Sequence, residues 1–340
     1  MKRIINVGMS LFNYKTVLCF GLATLLMASC NNNEAQSSIS NTVPSYKQEN
    51  QNELVSTTNT VQKQAVANAP IEKNEVLASE NVIDTSPKLL ISSSEEYTEP
   101  CYCRSGDLFF LGKGGSELFY LEKGQKTPVS LAKSGRFSNN VAWSKNCNEI
   151  YYKEKNKDYS TTIKSINVNT KKVTSYPHLP ALTQLKSLSY SDTAYFLDKK
   201  SLDIKAKYKD NEWLVIKNEE QGFYMTLISP DGKYIATHQG SRIELYGING
   251  EYIRKIGNGI ATDWSPDSKY LIGFEEEASN QHHEIGNADI YLYDISNGLK
   301  KPITQTTDAL ESWPSFKSKN EIVYTDMKNK GVFTKKIVNQ

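Results

Sequence analysis

From residue 88 onward, polar turns cut the hydrophobic pattern of this chain into short pieces. Tyr224-Met225-Thr226-Leu227-Ile228 is largely apolar, Ser229-Pro230-Asp231-Gly232-Lys233 is polar, and Tyr234-Ile235-Ala236 is apolar again. The order returns with Ala261-Thr262-Asp263-Trp264, Ser265-Pro266-Asp267-Ser268-Lys269 and Tyr270-Leu271-Ile272. Such runs, rich in β-branched and aromatic residues, read as strands. Ser, Pro and Gly at the first, second and fourth positions favour a type I turn between them. Each copy is a strand, a turn and a strand.

Fainter copies keep the frame: Trp143 to Tyr152, Phe316 to Tyr324 and, more loosely, Tyr102 to Phe110 and Tyr190 to Phe196. Anchors at 102, 143, 190, 228, 264 and 316 are spaced by about 41, 47, 38, 36 and 52 residues. That is close to the roughly 40–45 residues of a four-stranded propeller blade. Ile243 to Tyr246 runs through Asn249-Gly250 to Tyr252–Ile256, and Ile290 to Tyr293 runs through Ser296-Asn297-Gly298 to Pro302-Ile303-Thr304, so each unit adds a second hairpin. The expectation is an all-β chain: a six-bladed β-propeller of four strands per blade.

The Ser-Pro-Asp-Gly-Lys turn, the aromatic ahead of its second copy, and Ile290-Tyr291-Leu292-Tyr293-Asp294 resemble the repeats of TolB-type β-propellers. Propellers of prolyl-oligopeptidase-type enzymes use similar repeats. The resemblance covers roughly residues 88 to 340 and is strongest over blades four and five. It implies the fold, and it says little about activity, because propellers host many unrelated functions.

The last blade is one strand short. After Phe316 the chain supplies Glu321 to Thr325 and Val332 to Val338 and ends at Gln340, while Lys88-Leu89-Leu90-Ile91-Ser92 is a strand without a blade. The sequence predicts that this N-terminal strand pairs antiparallel beside Val332–Val338 and closes the ring, since closure removes exposed sheet edges.

Ahead of the repeats the chain changes character twice. Lys2, Arg3 and Lys15 precede an apolar run from Thr16 to Ala28, too short to span a bilayer as a helix. This is the pattern of a secretory signal. Leu26-Met27-Ala28-Ser29-Cys30 resembles a bacterial lipobox, which implies residues 1–29 as signal peptide and Cys30 as the lipidated first residue of the mature chain. Residues 31 to 87 are dominated by Asn, Gln, Ser, Thr and Glu. They cannot bury enough apolar surface to offset ordering, so residues 30–87 read as lipidated cysteine and disordered linker, and 88–340 as propeller. The expected location is the bacterial cell envelope, on the outer membrane.

Charge narrows the partners. The net charge is +2, and removing Lys2, Arg3 and Lys15 with the signal leaves −1, so there is no electrostatic case for nucleic acid. No Gly-x-Ser-x-Gly elbow occurs, and no catalytic residue, cofactor or metal is assigned. Among five cysteines, Cys101 and Cys103 fall two apart on one expected strand. A Cys103–Cys147 bridge between neighbouring blades and buried free thiols are equally open readings. Ligand candidates are His282, His283 and Glu284 with Glu277 in a long insertion of blade five, and Trp313 and Trp213 outside the repeat's aromatic anchor. His178 and His238 stand isolated, as surface or packing residues. The expected function is a non-enzymatic module binding a protein or peptide. The alternatives are a metal-dependent, lyase-like enzyme on polysaccharide, which the resemblance to histidine-using lyases allows at the His282/His283 loop, and a periplasmic scaffold holding the cell wall.

Overall fold

Each Ser-Pro-Asp phrase closes its hairpin through its own side chains. Ser229 Oγ accepts from the N–H groups of Lys233 and Tyr234 at 3.2 and 2.9 Å and donates to Asp231 Oδ1 at 2.7 Å. Ser265 repeats this with Lys269, Tyr270 and Asp267. Gly232 at φ +71 and Ser268 at φ +60 take the left-handed fourth position. The short serine and aspartate thus supply the hydrogen bonds that a tight turn leaves unmade.

The computed structural model describes residues 85–338, apart from 134–136, 138–140, 159, 220–221 and 279–284. Cys30, the signal and the linker up to residue 84, as well as His282, His283 and Glu284, lie outside the described residues. Lys88–Ser92 forms β1. Blade one is β2 (Thr98–Tyr102), β3 (Leu108–Gly112), β4 (Glu117–Leu121) and β5 (Val129–Lys133); blade two is β6 (Val141–Trp143), β7 (Glu149–Lys155), β8 (Thr161–Asn167) and β9 (Val173–Ser175). Blade three holds β10 (Ala194–Leu197), β11 (Ile204–Tyr208) and β12 (Asn211–Ile216). Blade four is β13 (Tyr224–Ile228), β14 (Tyr234–Gln239), β15 (Arg242–Gly247) and β16 (Tyr252–Asn258); blade five is β17 (Ile260–Trp264), β18 (Tyr270–Ala278), β19 (Ile285–Asp294) and β20 (Lys300–Pro302). Blade six is β21 (Glu311–Ser318), β22 (Glu321–Asp326) and β23 (Gly331–Lys336), completed by β1 in the order β1-β23-β22-β21.

The six sheets are antiparallel meanders, and the ring closes as the sequence predicts. β1 pairs antiparallel with β23, Lys88 opposite Thr334 and Ile91 opposite Val332, and buries Ile91 against Leu108 and Phe110 of blade one. Neighbouring blades pack through the anchors: Trp143 with Phe109 and Ile150, and Trp264 with Leu227 and Leu271. Both indoles are buried, as the repeat implies.

Two expectations need correction. Blade three has three ladder strands, not four; its inner position is a 3₁₀ turn, Leu185–Ser189. The segment Gln184-Leu185-Lys186-Ser187-Leu188-Ser189-Tyr190 has no β-branched residue, and Ser187 Oγ bonds back to the Gln184 carbonyl at 2.7 Å. A local side-chain bond of this kind competes with the ladder. Cys101 and Cys103 also do not share a strand: β2 bulges between Thr98 and Cys101 and ends at Tyr102, and Cys103 opens the following turn. Cys103 is bonded to Cys147 with the Cα atoms 5.9 Å apart, joining blades one and two, while Cys101 is a free thiol.

Candidate binding site in the axial channel

The inner strands surround a channel, and their first halves depart from the ladder in a repeated way. Register shifts interrupt β2 between Thr98 and Cys101, β13 between Tyr224 and Leu227, β17 between Ala261 and Asp263, and β21 between Ser312 and Ser315. Within three of these bulges one non-glycine residue takes positive φ: Glu99 at 53°, Met225 at 46° and Trp313 at 53°. Each lies three residues before its blade's anchor. Such conformations cost free energy and persist where the surroundings hold them, commonly at ligand sites. A proline follows both Glu99 and Trp313, which would normally push them toward extended backbone.

These three residues converge on a single cavity of about 630 Å³, open solvent at its mouth included, to which all six blades contribute. Its apolar wall is Pro100 and Phe109 from blade one, Val141 from two, Leu185 from three, Met225 and Leu227 from four, and Trp313 with Pro314 from six. The Trp313 ring also rests against Phe274 of blade five, centroids 5.5 Å apart. Gln184, Thr226, Thr262 and Ser315 interleave polar groups.

Lys186 forms the floor. The 3₁₀ turn of blade three directs it across the channel, where its ammonium donates to the Thr262 carbonyl at 2.5 Å and lies 3.6 Å from Asp263 Oδ1. Asp263 also accepts from Ser315 Oγ at 2.6 Å, the Phe316 N–H at 3.1 Å and the Trp264 N–H at 3.0 Å. Burial opposes the charge on Lys186, but Asp263, together with Cys101 and Glu99, outweighs it and holds the ammonium above the ordinary lysine value. Lys186 and Cys101 also line a second cavity further along the channel, beside Arg104 and Tyr190, so they divide the channel in two.

A belt of hydrogen bonds fixes the cup across every blade boundary. Trp143 Nε1 donates to the Cys101 carbonyl, Ser189 Oγ to the Trp143 carbonyl, and the Thr226 N–H to the Gln184 amide oxygen. Trp264 Nε1 donates to the Leu227 carbonyl, Thr262 Oγ1 to the Pro314 carbonyl, and Ser315 Oγ lies 3.6 Å from Cys101 Sγ. The wall is therefore held in place before any ligand arrives. Burial pushes the Cys101 thiol up to about 11, so at neutral pH it is protonated. His238 is neutral and hydrogen-bonded through both ring nitrogens. The arrangement has room and chemistry for an apolar group that carries a few polar atoms.

Among the described residues, Trp313 is the one sequence candidate that lines this cavity. Glu277 is exposed, opposite Asn287 near the end of the β18–β19 hairpin, and does not line the cup. Trp213 is exposed on the outer strand of blade three. Glu99, Lys186, Met225 and Asp263 were not singled out in the sequence. A signal existed for part of this, since Glu99-Pro100 and Trp313-Pro314 put proline at the same repeat position.

Six antiparallel sheets around a lined axial channel define a six-bladed β-propeller, and comparison places it among TolB-like folds. TolB from Acinetobacter baumannii aligns over 73% of this chain and 58% of its own length, with a TM-score of 0.50 and 10% identity. A protein assigned as TolB from Agrobacterium tumefaciens aligns over 74% and 94%, with a TM-score of 0.49 and 14% identity. The chain thus spans little more than half the length of the Acinetobacter protein. No family model and no curated protein matches the sequence. At such identity the likeness speaks to fold alone.

Proposed function

We propose that this propeller is a non-enzymatic protein-binding module of the cell envelope, and that the axial cup takes an extended segment of a partner protein. The observation that carries this reading is the convergence of Glu99, Met225 and Trp313, all left-handed at the same repeat position, on one cavity. Strain repeated in three blades serves no ladder, and it directs three large side chains at a common ligand. Apolar walls with interleaved Gln184, Thr226 and Ser315 suit a peptide, whose backbone needs hydrogen-bond partners where its side chains are buried.

The segments before the propeller fit a role at the envelope. Residues 1–29 act as signal peptide, Cys30 carries the lipid, residues 31–87 are the tether, and residues 88–340 work at a distance from an outer-membrane surface. Several acyl chains on Cys30 give firm attachment where a single chain binds marginally. Replacing Cys30 with Ser should abolish fatty-acid labelling, and a labelled Cys30→Ser protein would sink the anchor.

Selection of displayed peptides on the full-length protein tests the site. Trp313→Ala and Met225→Ala should each weaken the selected peptides at least about tenfold, roughly the loss of one buried side chain's contact. Trp213→Ala should leave them unchanged. Peptides that depend on Trp213 and ignore Trp313 would contradict the assignment.

A further inference from the structure

His238 lies behind the wall of the cup. It sits on β14 opposite Tyr224 and is fully buried. Its Nδ1 is 3.2 Å from the Met225 carbonyl oxygen. A carbonyl can only accept, so Nδ1 carries the proton and Nε2 is left with a lone pair. Nε2 accepts the Ala261 N–H at 2.9 Å. Met225 and Ala261 occupy the same repeat position, three residues before the anchors of blades four and five. One imidazole therefore ties the bulge of blade four to that of blade five.

We infer that His238 is a positioning residue of the cup: neutral, it clamps Met225 to the edge of blade five, and protonated, it releases the wall and weakens ligand binding. This rests on the reading of the cup as a peptide site. A proton on Nε2 turns the acceptor into a donor and sets it against the Ala261 N–H, leaving buried donors face to face. Met225 is held at φ 46, a conformation that relaxes when its support goes.

The environment makes the clamp a switch with a single control. From β13 the ring faces Tyr224, tilted 30° to it with centroids 5.1 Å apart, whose hydroxyl donates to the Gly240 carbonyl. β15 places Ile243 opposite it, and β17 presents Ala261. Asp263, two residues along β17, is engaged with Lys186, Ser315 and Phe316. Among the described residues no charged side chain acts on the ring; burial drives its affinity for protons down to about 4, partly offset by main-chain acceptors. The clamp is closed at neutral pH and opens in acid.

Two readouts on the full-length protein test this. With methionine methyl groups labelled with carbon-13, the Met225 signal should titrate with an apparent pKa near 4 and stand still in His238→Gln, which cannot take the proton. His238→Asn serves if the Gln variant does not fold, and circular dichroism confirms the strands at each pH. Peptides selected at pH 7.5 should bind wild type about fourfold more weakly at pH 3.5, the closed fraction left by that titration, and bind the variant with unchanged affinity. A Met225 signal flat through pH 4 overturns the clamp whatever the peptides do. Equal peptide affinity at both pH values in wild type also overturns it, while leaving the cup as binding site standing. Absence of any cup-dependent peptide counts against the proposed function, and the methyl titration still decides the clamp.

Discussion

Blades three and five meet at one ion pair, Lys186 with Asp263, yet they are built on different terms. Blade five is regular: four ladder strands, a Ser-Pro-Asp turn, and an anchor tryptophan buried against blade four. Blade three gives up its inner strand for a 3₁₀ turn, and its anchor position, Tyr190, follows that turn and lines the channel. The regular blade supplies an acceptor fixed by three further donors; the irregular blade supplies a cation on a long side chain. Regularity builds the frame here, and the departure from it delivers the group that crosses the channel.

The largest effect that would break this contrast lies on the regular side. Asp263→Ala removes the acceptor for Ser315, Phe316 and Trp264 and leaves the Lys186 charge unpaired. It should cost about 3 kcal/mol in thermal unfolding, the scale for losing one partner of a buried pair. Lys186→Met should cost under about 1 kcal/mol, because Asp263 keeps its other donors. Equal costs would mean that the two blades hold the pair alike.

Acid should act on the seam between blades four and five with comparable size. His238 has a folded value of about 4 against an ordinary 6.5. Its contribution is therefore fully present above pH 6.5 and is lost as pH falls toward 4. The loss is on the order of 3 kcal/mol at 1.36 kcal/mol per unit. Denaturation in urea across that range should show it, and His238→Gln should flatten the dependence.

The turns give a smaller and cleaner comparison. Ser265→Ala removes an acceptor for two N–H groups and should cost about 1.5 kcal/mol. Ser191→Ala, at the matching place in blade three, loses one bond to the Thr193 N–H and should cost about 0.5 kcal/mol in the same assay. Reversed magnitudes would show that blade three depends on the repeat motif after all.

The frame was legible because its chemistry is local. Ser229, Asp231 and Gly232 make a turn from their own side chains and backbone, and Lys88–Ser92 stood out as a strand with no blade. The same reading failed in blade three, where Ser187 bonds to its own turn and no β-branched residue holds the strand. The cup was mostly hidden. Lys186 and Asp263 are 77 positions apart in the chain and look like ordinary surface charges until the ring closes. Met225 carries no mark of its left-handed backbone; only the prolines after Glu99 and Trp313 hinted at the bulges. The sequence leaves His238 as a surface or packing residue; its burial selects packing, and its link between two bulges requires blade geometry.

In the proposed function ligands enter the axial cup and not the exposed apolar edge of blade three, where Trp213 and Leu214 face solvent. Photocrosslinking compares the two directly, with p-benzoylphenylalanine placed at 313 in one full-length protein and at 213 in another, each mixed with a peptide selected on the wild type. An adduct is expected from position 313 that excess unlabelled peptide removes, and none from position 213. An adduct confined to position 213 would contradict it.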